Sequence, residues 1–278
     1  MKPTIVLSLA LLTAPLWAAD NAADEVKAAA KKLAEAPNYS WTTTTKVPDD
    51  SRFKPGPTEG KTEKDGCSWV SSSFGERKFE SLIKNGNALS KTEDGWKTSE
   101  EIRAARESGG DSAEQGGRDR RRGGGGFGSM ARSFKTPAAQ AEDLADKSKE
   151  LKKDGDAFSG DLTEAAIKEM LSFGRRRPDS GEGPPAPTET KGSVKFWIKE
   201  GTLSKMEIHV EGIMKFGDTE RKIDRTSTTE IKDVCTTKLD VPEEAKKKLE
   251  ALPAEKPAEQ PAEKPAGEKS EKSGIKEA

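Results

Sequence analysis

Residues 192–212 read GSVKFWIKEGTLSKMEIHVEG, and the periodicity of this stretch decides the fold class. Val194, Phe196 and Ile198 alternate with Lys195 and Lys199, and Glu200-Gly201 supplies a turn. Met206, Ile208 and Val210 then alternate with Lys205, Glu207, His209 and Glu211. An apolar period of two on both sides of a turn predicts an antiparallel hairpin with one apolar and one polar face. The apolar register continues through Gly212 to Met214 and Phe216. A Thr-rich strand follows over about 220–238, and Pro242 opens a short helix carrying Ala245, Leu249 and Leu252.

Working back toward the N-terminus, the same reading finds more strands than helices. Val26, Ala29, Ala30 and Leu33 recur at helical spacing within 20–35. Tyr39, Trp41, Thr43 and Thr45 then share one face of a strand. Residues 48–66 are rich in Pro, Gly and charge and read as a loop, with at most a poorly paired strand. Cys67 to Phe74 predicts a strand with Trp69 on one face and Val70 and Phe74 on the other, and Phe79, Ser81 and Ile83 alternate in the next. Asn85-Gly86 is a hairpin turn in which both residues tolerate positive φ, and Asp94-Gly95 is a second turn before Trp96. Thr136-Pro137 starts a helix with Ala141, Leu144 and Ala145 on one side. Ala157 to Leu162 is extended, Asp161 with Glu164 resembles a capping box, and Ala166, Ile167, Met170 and Leu171 make another helix. The expected class is α+β, built on antiparallel strands.

Several segments stand outside that pattern. Lys2, the apolar run from Thr4 to Trp17 and the small residues Ala18 and Ala19 have the order of a secretory signal peptide. The run is shorter than the ~20 apolar residues that span a bilayer. The expectation is therefore a signal over 1–19 cleaved near Ala18/Ala19, a periplasmic or secreted location, and no transmembrane segment in the mature chain. A single domain is expected over 20–252, with flexible insertions at about 107–135 and 174–191. Residues 253–278 repeat proline among Ala, Glu and Lys and read as a solvated, disordered tail. With 31% hydrophobic and 35% charged residues, much of the length lies outside any packed core. A net charge of −1 argues against a global attraction to nucleic acid or acidic lipid.

The chemistry-bearing residues are few. Cys67 and Cys235 are the only cysteines, and in an oxidising compartment they are a candidate disulfide, two unrelated thiols being the plainer alternative. His209 is the only histidine, so no cofactor, closed zinc site or catalytic constellation is expected. Arg118, Arg120, Arg121 and Arg122 beside GGGGFG resemble an RNA-binding segment. The export signal makes a solvated loop, or a contact with an anionic envelope surface, the better reading. Trp41, Trp69, Trp96 and Trp197 all fall in or beside strands. They either pack the sheet or line a concave surface for a lipid-like ligand.

The hairpin at 192–212, NGNALSKTEDGWKTSEEI at 85–102 and TTEIKDVCTTKLDVPEEAKKKL at 228–249 together resemble the LolA/LppX–LprG-like superfamily of envelope lipoprotein and lipid carriers. That resemblance implies a curved, incomplete antiparallel barrel with helices covering the concave side and an apolar cavity between them. It implies a lipid or acylated protein as partner, and Trp41, Trp69, Trp197, Met206, Ile208 and Val210 are the candidate cavity residues. The inward positions here carry many Ser and Thr. The expected function is a non-catalytic periplasmic carrier. The alternative is a structural or interaction protein of the envelope that uses the Arg-rich loop and the Pro-rich tail.

Overall fold

A computed structural model describes residues 19–51, 54–75, 77–108, 134–172, 186–216 and 219–253. The signal segment, Arg118 to Arg122, most of both expected insertions and the C-terminal tail lie outside the described residues. In chain order the elements begin with α1 (Ala19–Glu35) and the strands β1 (Asn38–Lys46), β2 (Thr58–Glu63), β3 (Ser68–Phe74), β4 (Arg77–Lys84), β5 (Asn87–Thr92) and β6 (Gly95–Thr98). Helices α2 (Ser99–Ser108) and α3 (Pro137–Asp146) follow, then β7 (Lys152–Asp154), β8 (Ala157–Asp161) and α4 (Glu164–Ser172). The chain continues with β9 (Thr188–Lys199), β10 (Thr202–Phe216), β11 (Thr219–Lys232) and α5 (Glu243–Glu250).

All eleven strands form one antiparallel sheet in the order β6-β5-β4-β3-β2-β1-β11-β10-β9-β8-β7. Two meanders, β1–β6 and β7–β11, are joined where β1 pairs with β11. The outer strands β6 and β7 remain edges, so the curved sheet does not close into a barrel. The turn residues explain the meander. Asn85 (φ 52°) and Gly86 (φ 80°) join β4 to β5, and Glu200 (φ 54°) and Gly201 (φ 72°) join β9 to β10. Two consecutive positive φ values give the turn whose twist matches flanking antiparallel strands.

The inner face of the sheet carries α1, α3 and α4. Val26 and Leu33 of α1 are fully buried against Met206 and Val210 of β10 and Val194 and Phe196 of β9. Helix α4 lies close to β9 and β10 at two glycines. A Cβ at Gly192 would fall 2.9 Å from Ile167 Cγ1, and one at Gly212 would fall 2.6 Å from Leu171 Cδ1. Helix α5 sits on the other, outer face. Its Ala245 and Leu249, with Val241, cover Cys67, Leu82 and Leu89, with Trp69 and Trp96 packed alongside.

Three local expectations are corrected. The 48–66 segment contains a fully paired strand, since β2 bonds to β1 and β3. The N-cap of α4 is Thr163, whose hydroxyl accepts from Ala166 N at 3.3 Å, rather than Asp161, which belongs to β8. Cys67 and Cys235 are free thiols, the first buried and the second exposed. The sheet keeps them apart. Cys235 N donates to Asn38 O, Asn38 is paired with Glu63, and Glu63 N donates to Cys67 O. That ladder puts three strand spacings, roughly 14 Å, between them. A disulfide needs Cα atoms about 4.4–6.8 Å apart.

Candidate functional site

A cavity of about 270 Å³ opens between the inner face of the β1–β5 half of the sheet and the segment entering α3. Antiparallel register brings its floor together from four consecutive strands and β11. One cross-strand row runs Trp41–Gly60–Val70–Ser81. The next runs Thr229–Thr43–Thr58–Ser72–Phe79. Ile83 and Ala88, opposite each other on β4 and β5, complete the wall. The roof is Phe134, Lys135, Pro137 and Gln140. Thr136 shapes this entrance, because its hydroxyl caps α3 by accepting from Ala139 N at 3.3 Å and Pro137 occupies the first helical turn.

Trp41 anchors the cavity. Its ring lies across Gly60, where a Cβ would come within 2.1 Å of the indole, so only glycine leaves room for it. The indole Nε1 donates to Thr62 Oγ1 at 3.3 Å, and Thr62 Oγ1 is 3.1 Å from Ser68 Oγ. Phe134 stacks on the Trp41 ring with centroids 6.2 Å apart and planes 27° from parallel. Tyr39 is buried beside this network. Burial pushes its phenol above the ordinary value, against the hydrogen bonds to Thr136 and Thr62.

The hydroxyl row partly satisfies itself. Thr43 Oγ1 and Thr229 Oγ1 are 2.7 Å apart, and Thr58 Oγ1 and Ser72 Oγ are 3.2 Å apart. Each pair uses one proton for its mutual bond, which leaves the second proton for another acceptor. At the mouth Lys135 pairs with Asp143 at 2.9 Å, and Lys147 reaches the same carboxylate at 3.1 Å. Burial raises the Asp143 pKa, but the two ammonium groups outweigh it and hold the carboxyl below its usual range. Among the described residues the lining contains no carboxylate, imidazole or thiol. What it offers a ligand is an aromatic and aliphatic wall and a few hydroxyl donors.

Of the six cavity residues nominated from sequence, Trp41 lines this space and the other five do not. Met206, Ile208 and Val210 are on the inner face but buried in the core under the helices. Trp69 and Trp197 are on the outer face. Trp69 Nε1 donates to Glu80 Oε2 at 3.4 Å, with the ammonium groups of Lys61 and Lys78 each 5.9 Å from its ring. Trp197 lies beneath the Lys205 ammonium at 4.2 Å. Among the lining residues not nominated from sequence, Thr58, Ser72 and Thr229 face inward without an apolar periodicity to mark them, whereas Thr43, Val70, Phe79, Ser81 and Ile83 lie in strands whose alternation was read. Phe134 was legible in principle, as the aromatic just before the Thr136-Pro137 helix start. On the outer face, His209, Glu211 and Asp224 bring three potential metal-binding atoms within 4.8 Å of one another.

No protein-family model matches the chain, and no curated protein matches it. Among solved structures, the crystal structure of the lipoprotein LppX from Mycobacterium tuberculosis aligns over 80% of this chain and 99% of its own, with 11% identity and a TM-score of 0.41. That of LprF from Mycobacterium bovis aligns over 80% of this chain and 96% of its own, with 10% identity and a TM-score of 0.39.

Proposed function

We propose that this chain is an exported, non-catalytic binding module that takes one apolar chain, of a lipid or of an acylated molecule, into the cavity beside Trp41. The observation that carries this reading is the open space on the inner face, walled by Trp41, Val70, Phe79, Ile83 and Phe134. Its volume of about 270 Å³ suits a single chain. Pockets for drug-sized ligands run from about 300 to 1,000 Å³. Burying eight methylenes would contribute roughly 6 kcal/mol before the cost of lost freedom. The spare protons of the Thr43/Thr229 and Thr58/Ser72 pairs can donate to an ester or carboxyl oxygen of the ligand. Among the described residues no helix is long and apolar enough to cross a membrane, and the signal-like N-terminus supports a periplasmic or secreted module.

Native mass spectrometry after gentle purification tests the reading. The expected result is a fraction of the protein carrying one lipid-sized adduct that is lost on activation. A bare protein that also fails to take up fatty-acyl probes would overturn it.

A further inference from the structure

We propose that His209, Glu211 and Asp224 form a divalent first-row metal site on the outer face of the sheet, independent of the cavity. Two neighbouring strands build it. His209 and Glu211 are two residues apart on β10 and so point the same way, and Asp224 of β11 stands directly opposite Glu211. His209 Nε2 lies 3.1 Å from Asp224 Oδ1 and 3.6 Å from Glu211 Oε1. Zinc bound at about 2.0–2.2 Å in tetrahedral geometry holds its ligand atoms roughly 3.3–3.6 Å apart. The 3.6 Å separation lies at the top of that range and the 3.1 Å one just below it, and all three donor atoms lie within 4.8 Å of one another, so small side-chain shifts would bring them to a coordinating arrangement.

A second observation asks for a cation at this spot. Like charges directly opposite each other on paired strands repel, and Glu211 and Asp224 are such a pair. Two nearby ammonium groups lessen this repulsion without closing on either carboxylate. Lys191 faces Glu211 from β9, and Lys222 lies two residues from Asp224 on the same side. Neither makes an ion pair with either carboxylate among the described residues. Glu207, further along β10, is engaged by Thr228 Oγ1 at 3.2 Å. A metal ion held by the imidazole and both carboxylates would supply the balancing charge directly.

The three side chains are about one-third exposed, at 34%, 29% and 35%. An ion there would have three protein ligands and at least one open position, the pattern of a site that exchanges water or accepts a ligand from a partner. One imidazole with two carboxylates suits zinc or manganese better than a site of oxygen ligands alone would, and magnesium should bind far more weakly. An imidazole ligates through a nitrogen that carries no proton, so Nε2 is unprotonated in the bound form.

The test uses the only histidine in the chain, whose imidazole signals need no assignment. Zinc chloride is titrated into the full-length protein while the His209 ring is followed by long-range proton–nitrogen NMR. The expected result is a change at Nε2 that saturates at one equivalent, is absent with magnesium, and is at least about tenfold weaker in affinity in the Glu211→Gln/Asp224→Asn double variant. These side chains are partly exposed, so circular dichroism should show both proteins equally folded. No change at the imidazole would overturn the site. A response equal in the folded double variant would overturn it as adventitious binding to histidine alone.

Discussion

A single row of paired residues crosses eight strands of the sheet, and its two halves behave differently. From one side it reads Phe158, Phe196, Met206, then Thr229, Thr43, Thr58, Ser72 and Phe79. The first three are apolar, are 5%, 0% and 0% exposed, and belong to the main core. The following four are hydroxyl-bearing, and together with Phe79 they floor the cavity. The pairing is antiparallel throughout, and the side-chain type differs between the half that is core and the half that is recess. The β3–β5 half still has apolar residues, but Cys67, Leu82 and Leu89 point outward and are covered by α5. With Leu82 and Leu89 turned outward, Val70, Ile83 and Ala88 are the aliphatics this half presents inward, and they leave space open under α3.

The contrast is sharpest in paired truncations. Phe196→Ala should cost about 3–5 kcal/mol, because the ring is completely buried and its neighbours cannot collapse into the gap. Phe79→Ala should cost less than half as much, since the ring already borders open space. Urea unfolding of the two variants measures the difference, and equal losses would break the distinction between core and recess.

A smaller effect is expected at the join between the halves. Gly60→Ala drives a methyl into the Trp41 indole and should destabilise by about 1–3 kcal/mol. It should also disturb the Trp41–Phe134 stack, visible in near-ultraviolet circular dichroism. An unchanged spectrum and stability would mean that Trp41 does not need its place over Gly60.

The outer face has its own signature, smaller again. Burial, helped by Asp65 and Glu63, pushes the Cys67 thiol up to about 11. An ordinary thiol titrates near 8.5. The folded state therefore holds this proton more tightly than the unfolded chain does. That contribution is fully present below about pH 8.5 and is lost as pH rises toward 11. Replacing Cys67 by Ser should flatten the stability profile over that window. Iodoacetamide at neutral pH should label the exposed Cys235 and spare Cys67.

Much of the fold was legible in the sequence because its apolar residues alternate. The β9–β10 hairpin, α1, the Asn85-Gly86 turn and the Thr136-Pro137 helix start all carried large hydrophobes or turn residues at the diagnostic spacing. Strand β2 was not, since its inward residues are Thr58, Gly60 and Thr62 and its pairing comes from neighbours on both sides. The site was less legible for the same reason, as most of its floor is Ser and Thr. Part of the arrangement was nonetheless open to the same periodicity. Trp197 falls between Phe196 and Ile198, so the alternation that puts those two inward puts the tryptophan outward. The His209, Glu211 and Asp224 cluster depends on the register of β10 against β11, which no local pattern encodes.

The smallest change in stability carries the largest consequence for function. Ala88 borders the recess, and Ala88→Leu should fill it while shifting stability by no more than about 1 kcal/mol in either direction. Titrating a fluorescent fatty-acyl probe into the natural chain and this variant is the most direct test of the central claim. The account predicts saturable one-to-one binding to the natural chain and its loss in the folded variant. Equal binding by both, or none by the natural chain, would contradict it.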